Sequence, residues 1–388
     1  MEPVIVAPCG DYSPENCRAA IARVVAGTPA LRDIRPGTRV CIKVNLITRM
    51  APERAATTHP ALVEALCRYL RGAGAEAVIG DSPGGPFTRA YLDAVYSGSG
   101  LRAAAERSGA ALNQDFSVRH AVFPEGAVLR DFDYTGWLDS GDLIVNFCKL
   151  KSHGMMGLSC AVKNLFGAIP GLTKPAYHYR FPSYPDFADM LIDLNRYFRP
   201  AVHIVDAVVA MEGNGPTAGT PRPMGAVFAS GDPFGLDLVC AGLVGMGPEQ
   251  IPTLEAARRR GLAPASAAEV PLQGEAAPFA IPDFDIAPPE ISLERFAGGT
   301  GPLAGAANRF FRNVMALRPR LKAGACVKCG KCAQLCPANA ITLGRRGPAI
   351  DRRACIRCFC CQEMCPVGAL HARRSAFGDL ALRLTQKQ

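Results

Sequence analysis

A chain of 388 residues, 49% apolar and 20% charged, is too long for one small redox module and too apolar for a disordered polymer, so two domains are expected. Its net charge of +9 is uneven: residues 306–388 hold 16 Lys and Arg against 3 Asp and Glu, which leaves the rest net negative. Sixteen cysteines are present, nine of them between Cys326 and Cys365. The N-terminus already carries Glu2, Asp11, Glu15 and Arg18 without an apolar run, and no long uncharged apolar stretch occurs. The expectation is a cytoplasmic protein without a membrane span, its cysteines kept as thiols or metal ligands. The basic tail has no interleaved aromatic stripe, so nucleic acid is not expected as a partner; its charge suits thiolate-bound clusters or an acidic protein.

In chain order, Arg39–Leu46 reads as a strand. Pro60–Gly72 reads as a helix with Leu62, Val63, Leu66 and Leu70 on one face and Pro60 in its first turn. Ala77–Gly80, Leu143–Cys148, His203–Val205 and Ala226–Ala229 read as further strands. Asp232 followed by Pro233 is an N-cap signal for a helix reaching about Val244. Strands alternating with helices predict an α/β domain with a largely parallel sheet over residues 1–260. The Pro-, Ala- and Gly-rich residues 261–315 read as a connector with one strand near Pro271–Leu272. Residues 316–376 form a small α+β module, and 377–388 a tail with a short helix.

Sites in open α/β sheets lie beyond the carboxyl ends of strands, where polar loops are expected at 45–48, 81–85, 149–157, 206–219 and 230–232. Lys43, Lys149, Lys151, His153 and Lys163 bring cations and an imidazole there, and turns at Gly84–Gly85, Gly213 and Gly215 let backbone N–H groups approach a ligand. The candidate catalytic residues are His153 and Lys163. The candidate cofactor-binding residues are Lys43, Asp81, Gly84, Lys151, Glu212 and Asn214. The chemistry suits an anion: phosphate, carboxylate or a nucleotide-like cofactor. Structural alternatives stand beside these readings: Lys43 with Asp81 as a buried ion pair, Asp232 as a helix cap, His59 as a helix start, and His120 and His203 as structural histidines. Trp137, in a polar turn, is uninformative.

The cysteine run contains a repeat. Cys326, Cys329, Cys332, Cys336 and Pro337 recur 29 residues later as Cys355, Cys358, Cys361, Cys365 and Pro366. This C-x2-C-x2-C-x3-C-P spacing resembles that of the bacterial two-cluster ferredoxins. The resemblance implies two 4Fe–4S clusters, one on Cys326, Cys329, Cys332 and Cys365, the other on Cys355, Cys358, Cys361 and Cys336. Eight cysteines in a doubled run with no nearby His argue against zinc. Cys360, replaced by Lys331 in the first repeat, is out of the ligand frame and reads as a small thiol packed near a cluster.

Residues 2–250 carry IKVNL (42–46), THP (58–60), GDSPG (80–84), KLKSH (149–153), GLSCAVKNLFG (157–167), MEGNGP (211–216) and SGD (230–232). In these the chain resembles the domain of unknown function 362 family of iron–sulfur proteins. The steps from His153 to Gly157, Ser159 and Lys163, with His178 further on, also resemble the nickel-pincer lactate racemases, in which the Lys carries the pincer and His residues bind nickel or move protons. Cys160 and Ala161 depart from that pattern, standing where two glycines are usual. No nucleotide-binding glycine motif or nucleophile elbow occurs in a strand–turn–helix setting. The expected function is an iron–sulfur oxidoreductase passing electrons to or from a small anion in the N-terminal domain. The alternatives are an electron carrier or metallocofactor-maturation accessory, and a nickel-pincer racemase-like enzyme. The expected partners are a redox protein, a small anionic ligand and a second copy in a homodimer.

Overall fold

The computed structural model describes residues 2–286, 316–322 and 324–375. The tail expected at 377–388 and residues 287–315 of the expected connector lie outside the described residues. A nine-stranded sheet organises the larger domain, in the order β11-β1-β10-β9-β7-β2-β3-β4 with β8 paired to β7. The strands are β1 Val4–Pro8, β2 Arg39–Lys43, β3 Glu76–Gly80, β4 Ala111–Leu112, β7 Leu143–His153, β8 Gly157–Ser159, β9 Val202–Glu212, β10 Thr220–Ser230 and β11 Leu272–Gln273. From β9 through β7, β2 and β3 to β4 every pair is parallel, while β1, β10 and β9 pair antiparallel. The domain is therefore α/β with a mixed, mostly parallel sheet. Strands β5 (Val118–Val122) and β6 (Asp131–Thr135) form a separate hairpin.

Helices cover the sheet for the reasons read in the sequence. Helix Pro60–Gly72 buries Leu62, Val63, Leu66 and Leu70 against β2 and β3. His59 caps it, its Nδ1 accepting from the Ala61 N–H, which makes this histidine a helix-start residue. Asp232 accepts from Phe234 N–H and opens helix Pro233–Leu243. His203 lies buried in β9 with Nδ1 against the Asn146 amide. Trp137 is 1% exposed and packs directly on Gly80, where a Cβ would meet the indole ring; its polar flanks conceal a core position.

Three expectations change: residues 206–212, expected within a polar loop, are the end of β9. Residues 149–153, expected as a polar loop, continue β7 to His153, and β8 returns against them. Buried acceptors hold the lysines of this run, so it stays in the sheet although its hydropathy reads as a loop. The residues from 261 to 286, expected as connector, pack onto the domain instead: β11 pairs parallel with β1, and Val270, Ala276 and Phe284 are buried in the same core as Val4 and Phe228. No helix among the described residues is long and apolar enough to cross a membrane.

The cysteine-rich module folds as two copies of one unit. Short helices Lys331–Gln334 and Cys360–Glu363, strands β13 (Ile341–Gly344) and β15 (Leu370–Arg373), and strands β12 (Arg318–Leu321) and β14 (Gly347–Ile350) each superpose at the same 29-residue offset. β12 pairs with β15 and β13 with β14, all antiparallel. Both cysteine loops enter the left-handed region at matching positions, Lys328 with Arg357 and Gly330 with Phe359.

Candidate functional site

The site is built at the carboxyl ends of β2, β3 and β7, where a parallel sheet leaves room for a ligand. Lys43 ends β2 and is 1% exposed. Its Nζ lies 2.6 Å from Asp81 Oδ1, just past β3, and donates to Val44 C=O and Asn164 Oδ1. Asp81 in turn accepts from Leu46 and Ser82 N–H. Gly167 lies over this pair; a Cβ there would occupy the space of Asp81 Oδ1 and Lys43 Nζ. Burial lowers the Lys43 pKa and Asp81 opposes that shift.

Above this pair lies a cavity of about 90 Å³, lined by Lys43, Asp81, Gly84, His153, Lys163 and Lys174 among others. Its far wall comes from the cysteine module: Leu335, Cys360, Glu363 and Met364. Lys163 lies 5.8 Å from the Phe166 ring and has neither ion pair nor hydrogen bond among the described residues, while the Glu363 carboxylate across the cavity acts on it electrostatically. Burial lowers its pKa. Lys174 donates to Ser82 and Ile169 carbonyls, and burial pushes its pKa down to about 7. His178 stacks on Phe187 at 4.3 Å, and burial pushes it down to about 3.

His153 links the two domains. Its Nδ1 accepts from the N–H groups of Met155 and Met156, so a neutral ring carries its proton on Nε2. That nitrogen lies 2.8 Å from Glu363 Oε1. Burial pushes His153 down to about 4. Burial also pushes Glu363 up, but facing His153 and Lys163 outweigh it and hold its carboxyl at about 2. Around this pair, Gln362 Nε2 donates to Asn214 Oδ1 at 2.7 Å and Gly215 C=O at 2.9 Å. Thr217 donates to Glu363 C=O, and Ala372 N–H to Asn214 Oδ1.

Sequence candidates divide accordingly. Lys43, Asp81, Gly84, His153 and Lys163 meet in the cavity. Lys151 does not: its ammonium is buried behind the wall, donating to Asn45 Oδ1 and Ala56 C=O. Glu212 turns away to Arg222 and Asp285 N–H. Asn214 serves the interface between the domains. Lys149 forms a second buried pair with Asp206 at 2.9 Å, shared with Tyr12. Lys174, Glu363, Cys360 and Met364 were not singled out as site residues from sequence.

In the module, Cys326, Cys329, Cys332 and Cys365 line one cavity of about 20 Å³. Cys361 interacts electrostatically with Cys358, Cys355 and Cys336, as well as with Cys332. Lys328, Ala340 and Ala369 donate N–H groups to Cys326, Cys336 and Cys365 sulfurs. Burial and neighbouring sulfurs raise the pKa values of Cys332, Cys355 and Cys361, the behaviour of thiols gathered without a cation, which bound iron would reverse. Four cysteines around one cavity, with backbone N–H groups donated to the Cys326, Cys336 and Cys365 sulfurs, are donor chemistry that fits 4Fe–4S clusters. Cys360 is buried against Cys358; the hydrogen bond between them lowers Cys358 and raises Cys360, as for a thiol donating to a thiolate.

Residues 40–242 match the family model described as a domain of unknown function, DUF362. The chain belongs to this family. Residues 325–369 of this DUF362 protein match a second model, the 4Fe-4S dicluster domain, which supports 4Fe–4S binding and an electron-transfer role. The thylakoid-associated protein sll1697 of Synechocystis is 34% identical over 242 residues, spanning 60% of this chain and 71% of the relative. The lactate racemase apoprotein of Thermoanaerobacterium thermosaccharolyticum is a structural likeness at TM-score 0.38 and 13% identity, covering 64% of this chain and 58% of that one.

Proposed function

We propose that this DUF362 protein is an iron–sulfur oxidoreductase whose cysteine module exchanges electrons with a small anion bound beside Lys163. One observation carries the reading: the cavity has lysines of the α/β domain on one wall and Cys360, Glu363 and Met364 of the module on the other. A ligand there touches both the anion-binding groups and the segment between the cysteines of the second repeat. A pure carrier needs no such lysine-lined cavity.

Bound 4Fe–4S clusters supply one-electron chemistry at thiolate-held iron. In this proposal the sets are Cys326, Cys329, Cys332 and Cys365, and Cys355, Cys358, Cys361 and Cys336. Lys163 offers an ammonium without a hydrogen-bonding acceptor among the described residues, and Lys174 adds a second cation that an anion would hold protonated. Lys43, already neutralised by Asp81, fixes the floor. His153, whose Nε2 lies 2.8 Å from Glu363, can hold a proton beside the ligand as charge changes. The seven cysteines of the α/β domain are all buried free thiols, in keeping with a reducing, cytoplasmic setting.

The test is anaerobic. Holoprotein reduced with dithionite is freed of excess reductant and exposed to phosphate and a panel of short carboxylates and 2-oxo acids. A substrate restores the bleached cluster absorbance, and the Lys163→Ala variant does not respond. The reading is overturned if no anion binds, or if anions bind equally well to Lys163→Ala.

A further inference from the structure

We infer that the face of the first cysteine repeat is a docking port for a small acidic one-electron carrier protein. The two repeats share one fold but meet different surroundings. The second repeat is covered: Phe359, Gln362 and Glu363 pack on Gly154, Asn214 and His153 of the α/β domain. Cys358 and Cys361 are buried. The equivalent face of the first repeat has no such cover among the described residues. Cys329 is exposed, and Val327, Leu343 and Val367 are 61%, 47% and 46% exposed. These three residues, scattered in sequence, surround the same small cavity as Cys326, Cys329, Cys332 and Cys365. Large apolar side chains exposed together over a redox centre mark a surface kept for a partner.

Charge selects the partner. Residues 326–350 contain Lys328, Lys331, Arg345 and Arg346 and no Asp or Glu. All four are exposed, and none has an ion pair among the described residues. An apolar patch that includes Lys328 and Lys331, both without an ion pair among the described residues, fits a protein whose own redox group is ringed by acids, and complementary charge speeds such encounters. The carrier loses one electron and the first-repeat cluster gains it, with no bond made or broken. The exposed set then faces the carrier and the buried set faces the anion cavity. This direction of flow rests on the oxidoreductase reading above; the docking face itself does not.

The test titrates loaded, anaerobic holoprotein with an acidic plant-type [2Fe–2S] ferredoxin, with basic cytochrome c and a short DNA oligonucleotide as parallel probes. Calorimetry reads affinity, and stopped-flow absorbance reads the reduction rate. Ferredoxin should bind, and its affinity should fall about tenfold or more between about 0.05 and 0.5 M salt. The double variant Lys328→Glu with Lys331→Glu should lose at least about tenfold in affinity and rate, while dithionite still bleaches its clusters fully. Arg18→Glu with Arg258→Glu, both exposed on the α/β domain, should stay within about twofold of the parent. No ferredoxin binding, binding indifferent to the lysine reversal, or preference for DNA or cytochrome c at this face overturns the port. Lys163→Ala separates the two readings: if it still binds anions normally while ferredoxin docks as expected, the pocket reading falls and the port stands.

Discussion

At the scale of single residues, the cavity is a problem in buried charge. Lys43 and Lys149 each have a carboxylate within 2.9 Å, and Lys151 two buried oxygen acceptors. Lys163 has none. An ammonium held apart from acceptors is costly until an anion arrives. Replacing it by alanine should weaken anion binding about 10- to 100-fold, since a charge-assisted hydrogen bond contributes ~1.5–3 kcal/mol. Cluster absorbance should be unchanged; a variant that loses fold and clusters together would make Lys163 structural. Lys174 sets the pH dependence. It is charged below about 7 in the free protein, and a bound anion favours the charged form. Affinity for a permanently charged anion such as sulfate should therefore rise as pH falls from about 9 to about 6, a slope that Lys174→Met abolishes in calorimetric titrations. Stability moves the other way: between about 7 and its ordinary 10.5 the unfolded state binds the extra proton, so the unliganded protein gains stability as pH rises through that window.

At the scale of elements, the contact between the module's second helix and the end of β7 decides whether cavity and clusters work together. Phe359 takes a left-handed conformation at φ 62°, where the first repeat has Gly330, and its ring is buried in the same apolar core as Met155 and Phe166. The strain, of order 1–2 kcal/mol, is offset by aromatic burial. Gly154 receives this surface; a Cβ there would lie 3.1 Å from Gln362 Oε1 and 3.3 Å from both Phe359 and Ala372. Gly154→Val should pry the module away, since overpacking costs ~1–3 kcal/mol. Small-angle scattering should then report a larger radius of gyration, with iron content retained. An unchanged radius together with an intact His153–Glu363 contact would show that the interface yields instead of separating.

At the scale of the whole molecule, the proposed arrangement is a line: carrier face, first cluster, second cluster, anion. It requires about eight irons and eight acid-labile sulfides per chain, and a well-folded reconstituted sample that saturates at four would refute it. Cross-ligation gives a sharper test. Cys332 lines the exposed cavity with Cys365, while Cys336 interacts with the buried group around Cys361. Cys332→Ser and Cys336→Ser, reduced and examined by EPR, should lose different cluster signals. Loss of the same signal in both would mean that each repeat holds its own cluster.

What the sequence determined by itself is everything governed by local periodicity and spacing. Helix Pro60–Gly72 follows from its apolar stripe and proline start, the Asp232 cap from side-chain chemistry, and the doubled cysteine module from an identical spacing. The convergence of Lys43, His153 and Lys163 was also legible, because parallel strands bring their carboxyl ends together, but Lys151, expected with them, lies behind the wall. Tertiary structure decided the rest. Lys151 and Lys163 look alike in sequence, yet one is locked by Asn45 and the Ala56 carbonyl while the other faces the cavity. Acceptors that distant in the chain leave no local pattern. The fourth wall came from about 200 residues away, because only folding sets Glu363 opposite His153. A trace of it was present in the repeat: Gly330, Lys331, Ala333 and Gln334 become Phe359, Cys360, Gln362 and Glu363 at the offset of 29. Those departures fall on the buried face, where docking against a different surface requires different side chains from those that suffice in water.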